Sequence, residues 1–294
     1  MDEAKNQPDL DEPMDSGLDE LLSVADREEQ VQTATVTAGS APYAGPLIEF
    51  SHVSIAFGEH VVLNDVSFWV ERGETLCILG RSGVGKSVAL RLLMGFLKPD
   101  SGTIRVDGEE IEGLDEEGLR AVRKRVTMVF QNGALFDSLS VRENVAFPLR
   151  EHGGLDEEQV HELVEQLIRL VGAEDMIDEL PASLSTGRKR AVAIARALAA
   201  RPEVVLYDEP TTMVDPLIAR RLGGLIQGLK REQGFTSIVV THDMRFAERL
   251  ADTVLFLDGG RASYFGPLKG FLESEDEHIR QFLALDEYAL PLRS

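Results

Sequence analysis

Residues 80–87 read Gly80-Arg81-Ser82-Gly83-Val84-Gly85-Lys86-Ser87, which matches the phosphate-binding P-loop pattern at every fixed position. The apolar run 74–79 before this loop predicts a buried strand, and residues 88–94 after it predict a helix. Glycines let backbone N–H groups wrap around an anion, and the N-terminus of the helix adds the positive end of its dipole. A glycine-rich turn without a ligand is the alternative, but it leaves the strand–loop–helix context unexplained. The stretch therefore predicts a nucleoside triphosphate site.

Two side chains of the loop have predicted chemical roles. Lys86 would place a positive charge on the β- and γ-phosphates, and the hydroxyl of Ser87 would ligate Mg²⁺. The predicted nucleotide-binding set is the whole loop and the residue after it: Gly80, Arg81, Ser82, Gly83, Val84, Gly85, Lys86, Ser87 and Val88.

A second site is predicted where the apolar run Val204-Val205-Leu206-Tyr207 ends in Asp208 and Glu209. Asp208, at the end of this strand, is placed to hold Mg²⁺ through water, and Glu209 is the candidate general base for the attacking water. A buried strand that runs into a solvated acidic turn is the alternative. With a P-loop upstream, the catalytic interpretation is favoured.

Four further motifs follow in a fixed order: Gln131 in Val129-Phe130-Gln131, the stretch Leu184-Ser185-Thr186-Gly187-Arg188, Asp215 in Met213-Val214-Asp215-Pro216, and His242 in Val240-Thr241-His242-Asp243. With them the chain resembles the ATP-binding-cassette (ABC) transporter ATPases from about Ile48 to about Leu268. In that family the four are the Q-loop, signature loop, D-loop and switch histidine. The resemblance implies an α/β P-loop fold of the ABC type, with a RecA-like core, an antiparallel β subdomain and an inserted helical subdomain.

The resemblance also implies ATP hydrolysis with Mg²⁺ by a homodimer. Each ATP would lie between the P-loop of one protomer and the signature loop of the other. Catalytic roles fall on Lys86, Glu209, Gln131 and His242. Of these, Gln131 would contact Mg²⁺ together with Ser87 and Asp208, and His242 would bind the γ-phosphate.

Four further residues are expected to bind nucleotide on the same grounds: Phe57, Ser185, Gly187 and Asp215. Phe57 stands where the family places an aromatic ring against adenine, although a core phenylalanine at a strand end is the alternative. Ser185 and the N–H of Gly187 would contact the γ-phosphate bound by the partner protomer, at the N-terminus of the next helix. Asp215 belongs to the D-loop.

Two residues of the signature loop depart from the family pattern. Thr186 replaces a glycine, and its Cβ limits how closely the backbone can approach a phosphate. Arg188 replaces a glutamine or methionine and adds a positive charge near the nucleotide. Since neither change removes a catalytic side chain, we expect an active but slow ATPase.

The segment after Gln131 indicates a subfamily. Residues 131–141 and 143–152, which include Gly133-Ala134-Leu135-Phe136, resemble the ATPases of MCE-type lipid transporters, the MlaF/Mkl group, and residues 207–212 and 279–283 resemble that group too. That resemblance implies phospholipid transport with a separate integral-membrane permease and an MCE-domain lipid-binding subunit. Similar runs occur in the ATPases of amino-acid importers and lipoprotein exporters, so these remain alternatives, as does a non-transport cassette.

Composition limits the class of protein. The chain has 294 residues, 43% of them hydrophobic, which is enough for a full α/β core. The net charge of −21 argues against nonspecific binding to nucleic acid or to anionic lipid. The single cysteine, Cys77, in the strand before the P-loop, fits a packing role in a reducing compartment. We expect a cytoplasmic protein held at the inner membrane by its permease.

Three segments are predicted. Residues 1–46 carry eleven acids against two bases and are predicted to be a disordered acidic extension. Residues 47–270 are predicted to be the ABC nucleotide-binding domain, with its helical subdomain at about 132–190, where apolar residues recur at helical spacing. Residues 271–294 are predicted to be a C-terminal helical tail.

Overall fold

The structure, a computed structural model, describes residues 43–288. Nearly all of the predicted acidic extension 1–46 and the end of the predicted tail, residues 289–294, lie outside the described residues. The described residues contain two sheets and a set of helices, as the α/β prediction requires.

The larger sheet has six strands in the order β10-β9-β3-β8-β7-β6. Neighbouring strands from β9 to β6 run parallel, and β10 is antiparallel to β9 at the edge. Strands β3, β7 and β8 are buried at every position, which explains their continuous apolar sequences. The bounds are β3 Thr75–Leu79, β6 Val126–Val129, β7 Val204–Asp208, β8 Thr236–Val240, β9 Thr253–Asp258 and β10 Arg261–Pro267.

The smaller sheet has four antiparallel strands in the order β2-β1-β4-β5. Buried and exposed residues largely alternate along β1 and β2, because one face of each packs on the core. Phe50 and Phe68 stack there with their ring centroids 4.4 Å apart. The bounds are β1 Ile48–Phe57, β2 His60–Val70, β4 Ser101–Val106 and β5 Glu109–Glu110.

Helices connect the strands and surround the parallel sheet. The bounds are α1 Lys86–Leu93, α2 Glu116–Arg125, α3 Val141–His152, α4 Glu157–Leu170, α5 Thr186–Ala199, α6 Pro216–Gln233, α7 Met244–Leu250, α8 Leu268–Leu272 and α9 Glu277–Tyr288. Helices α3 and α4 begin with capping boxes, Ser140 with Glu143 and Asp156 with Gln159, which fix where each one starts.

Helices α3, α4 and α5 pack against one another within the segment predicted to be a helical subdomain. Its exposed surface includes Phe136 and Phe147, whose ring centroids are 4.9 Å apart. The C-terminal helix α9 packs through Ile279 and Phe282, and the ring of Phe282 lies 5.1 Å from that of Phe256 in β9.

Candidate nucleotide site

The P-loop connects the buried end of β3 to the start of α1. Lys86, the first residue of α1, is only 6% exposed, and its Nζ donates to the carbonyls of Gly80 at 2.8 Å and Arg81 at 3.1 Å. The ammonium group is therefore held against the backbone at the start of the loop. From this position a lysine can bind a phosphate that the loop encloses.

Two glycines are required by the shape of the loop. Gly80 has φ 147°, and a Cβ there would meet the carbonyl oxygen of Leu257 in β9. Gly85 has φ 103°, and a Cβ there would lie 2.8 Å from the Leu63 side chain of β2. The loop thus packs directly against strands of both sheets, and at these two points only a residue without a Cβ leaves room for that contact.

Two of the predicted metal ligands, Ser87 and Asp208, are in direct contact. The hydroxyl of Ser87 donates to Oδ1 of Asp208 at 2.7 Å, and Asp208 is 7% exposed. Burial raises the pKa of Asp208, whereas the hydrogen bond from Ser87 lowers it. A divalent cation between these two oxygens would offset the desolvation of the carboxylate.

The remaining ligand positions suit magnesium. Within residues 43–288 there is no group of three or more His, Cys, Asp or Glu side chains that would hold a metal on its own. A hydroxyl and one carboxylate leave open positions for water and phosphate oxygens, which is how Mg²⁺ is usually bound beside nucleotides. The residues present therefore fit a magnesium ion.

The candidate base Glu209 follows Asp208 directly. Its Oε2 lies 2.8 Å from Nδ1 of His242 and accepts a hydrogen bond from the hydroxyl of Thr212 at 3.0 Å, and its Oε1 lies 3.4 Å from Nζ of Lys86. Its backbone is left-handed, with φ 49°. Three of the four predicted catalytic residues, Lys86, Glu209 and His242, are thus in one contact network.

The fourth predicted catalytic residue, Gln131, is exposed in the loop after β6. Phe57 is 52% exposed at the end of β1, so the alternative interpretation as a core phenylalanine is wrong. Its adenine-stacking role stays a prediction.

The signature-loop and D-loop residues have local structural roles at helix starts. Ser185 is the N-cap of α5, and its hydroxyl accepts from the N–H of Arg188 at 3.4 Å. Asp215 is the N-cap of α6 and accepts from the N–H of Leu217 at 2.8 Å. Gly187 is buried, and a Cβ there would lie 2.5 Å from the side chain of Ile218. Nucleotide contact by these residues stays a prediction.

The positive charge at Arg188 is paired within the same chain. Its Nη2 lies 3.0 Å from Oδ2 of Asp175, and Nη1 contacts the sulfur of Met176 at 3.6 Å. In this geometry the guanidinium group is directed to the segment before the signature loop. Thr186, the first residue of α5, is exposed.

One residue at the site is missing from the sequence predictions. Arg190 is 3% exposed, and its guanidinium group donates to the carbonyls of Glu209, at 3.0 Å, Pro210 and Thr212. Its position three and four residues before the buried Ala193 and Ile194 places it on the apolar face of α5. That spacing is visible in the sequence and is the signal that would have identified it.

The fold and the site together define a P-loop nucleotide-binding protein. The profile of the family described as "ABC transporter" matches residues 63–212, about half of the chain. The chain belongs to the ABC transporter family, whose cassettes bind ATP with Mg²⁺ and hydrolyse it, and the predicted fold class is confirmed.

Solved structures agree with this assignment. The chain is similar to a dimeric ATP-binding cassette in a post-hydrolysis state with bound ADP and Pi, with TM-score 0.70, 30% identity and coverage of 75% of this chain and 98% of that one. It is also similar to a cassette from Clostridium perfringens that is part of the cbiONQ ABC transporter complex, with TM-score 0.72, 29% identity and coverage of 83% and 98%.

Curated relatives differ from the subfamily expectation. The chain is 42% identical to the methionine import ATP-binding protein MetN of Brucella abortus (strain 2308) over 235 residues, 80% of this chain and 63% of that protein. It is 38% identical to a probable amino-acid ABC transporter ATP-binding protein of Sinorhizobium fredii (strain NBRC 101917 / NGR234), over 81% of this chain and 96% of that protein. These names support the amino-acid-importer alternative better than lipid transport.

Two facts limit what these relatives imply. The chain spans 63% of the length of four Brucella methionine import proteins to which it is 42% identical. Across residues 43–288, no helix combines the length and the apolar character that crossing a bilayer requires.

Proposed function

We propose that this chain is the ATP-hydrolysing subunit of an ABC transporter that imports an amino acid, methionine or a close analogue. The observation that carries the hydrolytic part is the contact of the Glu209 carboxylate with both Lys86, at 3.4 Å, and His242, at 2.8 Å. The candidate base, whose side chain is 13% exposed, is thereby in contact with both a phosphate-binding cation and an imidazole. The names of the relatives support the transported class.

The residues of the site divide the chemistry among them. Lys86 neutralises phosphate charge, and Ser87 with Asp208 would hold the magnesium ion, which supplies further positive charge to the phosphates. Glu209 accepts the proton of the attacking water, and His242 keeps the Glu209 carboxylate in line through its Nδ1. Thr212 donates to the same carboxylate oxygen and restricts its rotation.

Two kinds of partner are part of the proposal. A second copy of the chain would complete each site with Ser185 and Gly187, which lie at the start of α5. A permease would dock on the exposed aromatic pair Phe136 and Phe147, beside the loop that follows Gln131. The MCE-domain subunit expected from the sequence has no support among the relatives and is not part of this proposal.

ATP hydrolysis by the purified full chain tests the first part. Lys86→Ala should abolish both ATP binding and turnover, whereas Glu209→Gln should bind ATP and fail to turn it over. Lys269→Ala, at an 84% exposed lysine side chain, is the matched control and should behave as wild type. Turnover per chain should rise with protein concentration, because each site needs two copies. Wild-type affinity for ATP in Lys86→Ala would refute the site.

Transport is tested in the cell of origin. Replacing the chromosomal copy with Glu209→Gln should abolish uptake of labelled methionine while leaving the phospholipid distribution between membranes unchanged. The opposite pattern would refute amino-acid import and restore lipid transport, the expectation from the sequence resemblance.

A further inference from the structure

The turn that carries Glu209 is folded around a single buried guanidinium group. Arg190 donates from Nη1 to the carbonyls of Glu209 and Pro210 and from Nη2 to that of Thr212. Backbone carbonyls are an unusual set of partners for a buried arginine, which more often pairs with a carboxylate. Here the cation organises backbone rather than neutralising an acid.

The turn needs such a restraint. Glu209 has φ 49° and Met213 has φ 60°, so both ends of the turn are in the left-handed region that residues with a Cβ avoid. Met213 is 90% exposed and gains little from burial. Pro210 and Thr211, between these two residues, are buried, and hydrogen bonds to the carbonyls of the turn add to what holds it in shape.

The direction of the Glu209 side chain follows from its backbone. Its N–H donates to the carbonyl of Val240 at 2.9 Å, and its own carbonyl accepts from Arg190 at 3.0 Å. With both peptide groups fixed, the Cα–Cβ bond has one direction, and the carboxylate reaches His242 and Lys86. The Glu209 carbonyl also accepts from the N–H of Thr212, at 3.3 Å. Removing Arg190 leaves the carbonyl with this longer bond alone, and the carboxylate can then leave its position.

Arg190 also lies on α5, the helix that begins at the signature loop. It is five residues after the N-cap Ser185, about 7.5 Å along the axis of the helix. Since a helix moves as a rigid body, a displacement at Ser185 reaches the Glu209 turn through the Arg190 side chain.

We propose that Arg190 is a positioning residue that couples the signature loop to the orientation of Glu209 in the same protomer. This inference rests on the proposed function. In the proposed dimer, the signature loop of each protomer contacts the nucleotide bound by its partner. Nucleotide binding at one site would then change the orientation of Glu209 at the other site.

The test uses the full chain and three readouts. In Arg190→Gln, kcat for ATP should fall on the order of 100-fold, the effect of misplacing a catalytic group by about 1 Å, with KM within about 3-fold of wild type. Binding of trinitrophenyl-ATP should be unchanged within the same range. Hydrogen exchange of the amides of residues 209–214 should accelerate in the nucleotide-free chain. Arg190→Lys, which keeps a cation able to reach carbonyls, should recover at least 10-fold of the lost kcat.

The control is another arginine that donates to a backbone carbonyl. Arg123→Gln removes the bond to the Met94 carbonyl, 3.0 Å long and outside the Glu209 turn, and should leave kcat and exchange at 209–214 unchanged. If Arg190→Gln fails to fold by circular dichroism, Arg190→Lys provides the comparison, and its kcat should then fall about 10-fold.

Coupling is tested by a double-mutant cycle with Ser185→Ala. The effect of Ser185→Ala on kcat should shrink at least 3-fold in the Arg190→Gln background, because the connection is already broken. Additive effects, or wild-type kcat in Arg190→Gln, would overturn the inference. Absence of ATPase activity in wild type would instead overturn the proposed function, and unchanged exchange at 209–214 would still overturn the inference on Arg190.

Discussion

Asn144 offers a quantitative test of how the loop after Gln131 is held. It is fully buried at the start of α3. Its Oδ1 accepts from the N–H of Phe136 at 2.8 Å, and its Nδ2 donates to the carbonyls of Phe136, Leu139 and Ser140 at 3.0–3.1 Å. The oxygen and the nitrogen of this one amide group thus both hold the loop that carries Phe136.

The loss on Asn144→Ala can be estimated group by group. The carbonyls of Phe136 and Ser140 keep other donors, the N–H groups of Leu139 and Asn144, at 3.1 and 2.9 Å. The N–H of Phe136 loses its acceptor, which costs about 1–3 kcal/mol, and the two N–H groups of Nδ2, which three carbonyls share, contribute about 0.5–1.5 kcal/mol each. Because these losses overlap and water compensates part of them, we expect about 3 kcal/mol of destabilisation.

Urea unfolding of the full chain measures this quantity. Asn144→Ala should lower the free energy of unfolding by about 3 kcal/mol with an unchanged m-value. Glu151→Ala, at an exposed position of the same helix, should stay within about 0.5 kcal/mol of wild type. A loss below 1 kcal/mol for Asn144→Ala would show that the buried amide does not hold the loop.

Three further outcomes are expected. Thr186→Gly in a Glu209→Gln background should strengthen ATP-dependent dimerisation by about 1 kcal/mol, because the backbone can approach phosphate more closely; sedimentation with and without ATP measures it, and weaker dimerisation would contradict it. Gly85→Ala should abolish trinitrophenyl-ATP binding, since φ 103° and the nearby side chains of β2 exclude a Cβ. The hydrogen bond and charge of Asp258 raise the pKa of His278 above 6.5, so their pairing stabilises the chain fully below pH 6.5 and is lost as pH rises through the raised value. The thermal midpoint should therefore fall more between pH 6 and 9 in wild type than in Asp258→Asn, and equal falls would refute the pairing.

Much of the fold was predictable because its signals are local. The P-loop was placed between a buried strand and a helix, and the structure has β3 ending at Leu79 and α1 beginning at Lys86. The apolar run 204–207 that ends at Asp208 is predicted to be a strand, and the structure has β7 over Val204–Asp208. Contiguous apolar runs and glycine positions carry this information without reference to the rest of the chain.

The contacts of the site were less predictable, since they depend on which segments meet. The order of the motifs predicts that Lys86, Glu209 and His242 belong to one site. It does not predict that Lys86 contacts Glu209, as it does in the structure. The prediction that Arg188 adds charge near the nucleotide missed its ion pair with Asp175, thirteen residues earlier in the chain. The lipid subfamily expectation rests on a few short stretches, mainly residues 131–152, whereas the similarity to a methionine import protein extends over 80% of the chain.

Helix α5 shows why such contacts carry functional information. Arg188 pairs with the segment before the helix, Arg190 with the Glu209 turn, and Arg196 with the carbonyls of Gly133 and Ala134 in the loop after Gln131. Six residues separate Arg190 from Arg196, about 9 Å along the axis, so one rigid element joins the candidate base to the loop proposed to meet a permease. Arg190 and Arg196 each donate to backbone carbonyls, so these two connections transmit a change of position with little dependence on the side chains of the segments they contact. A displacement of that loop would therefore reach Glu209 through two guanidinium groups and a single helix.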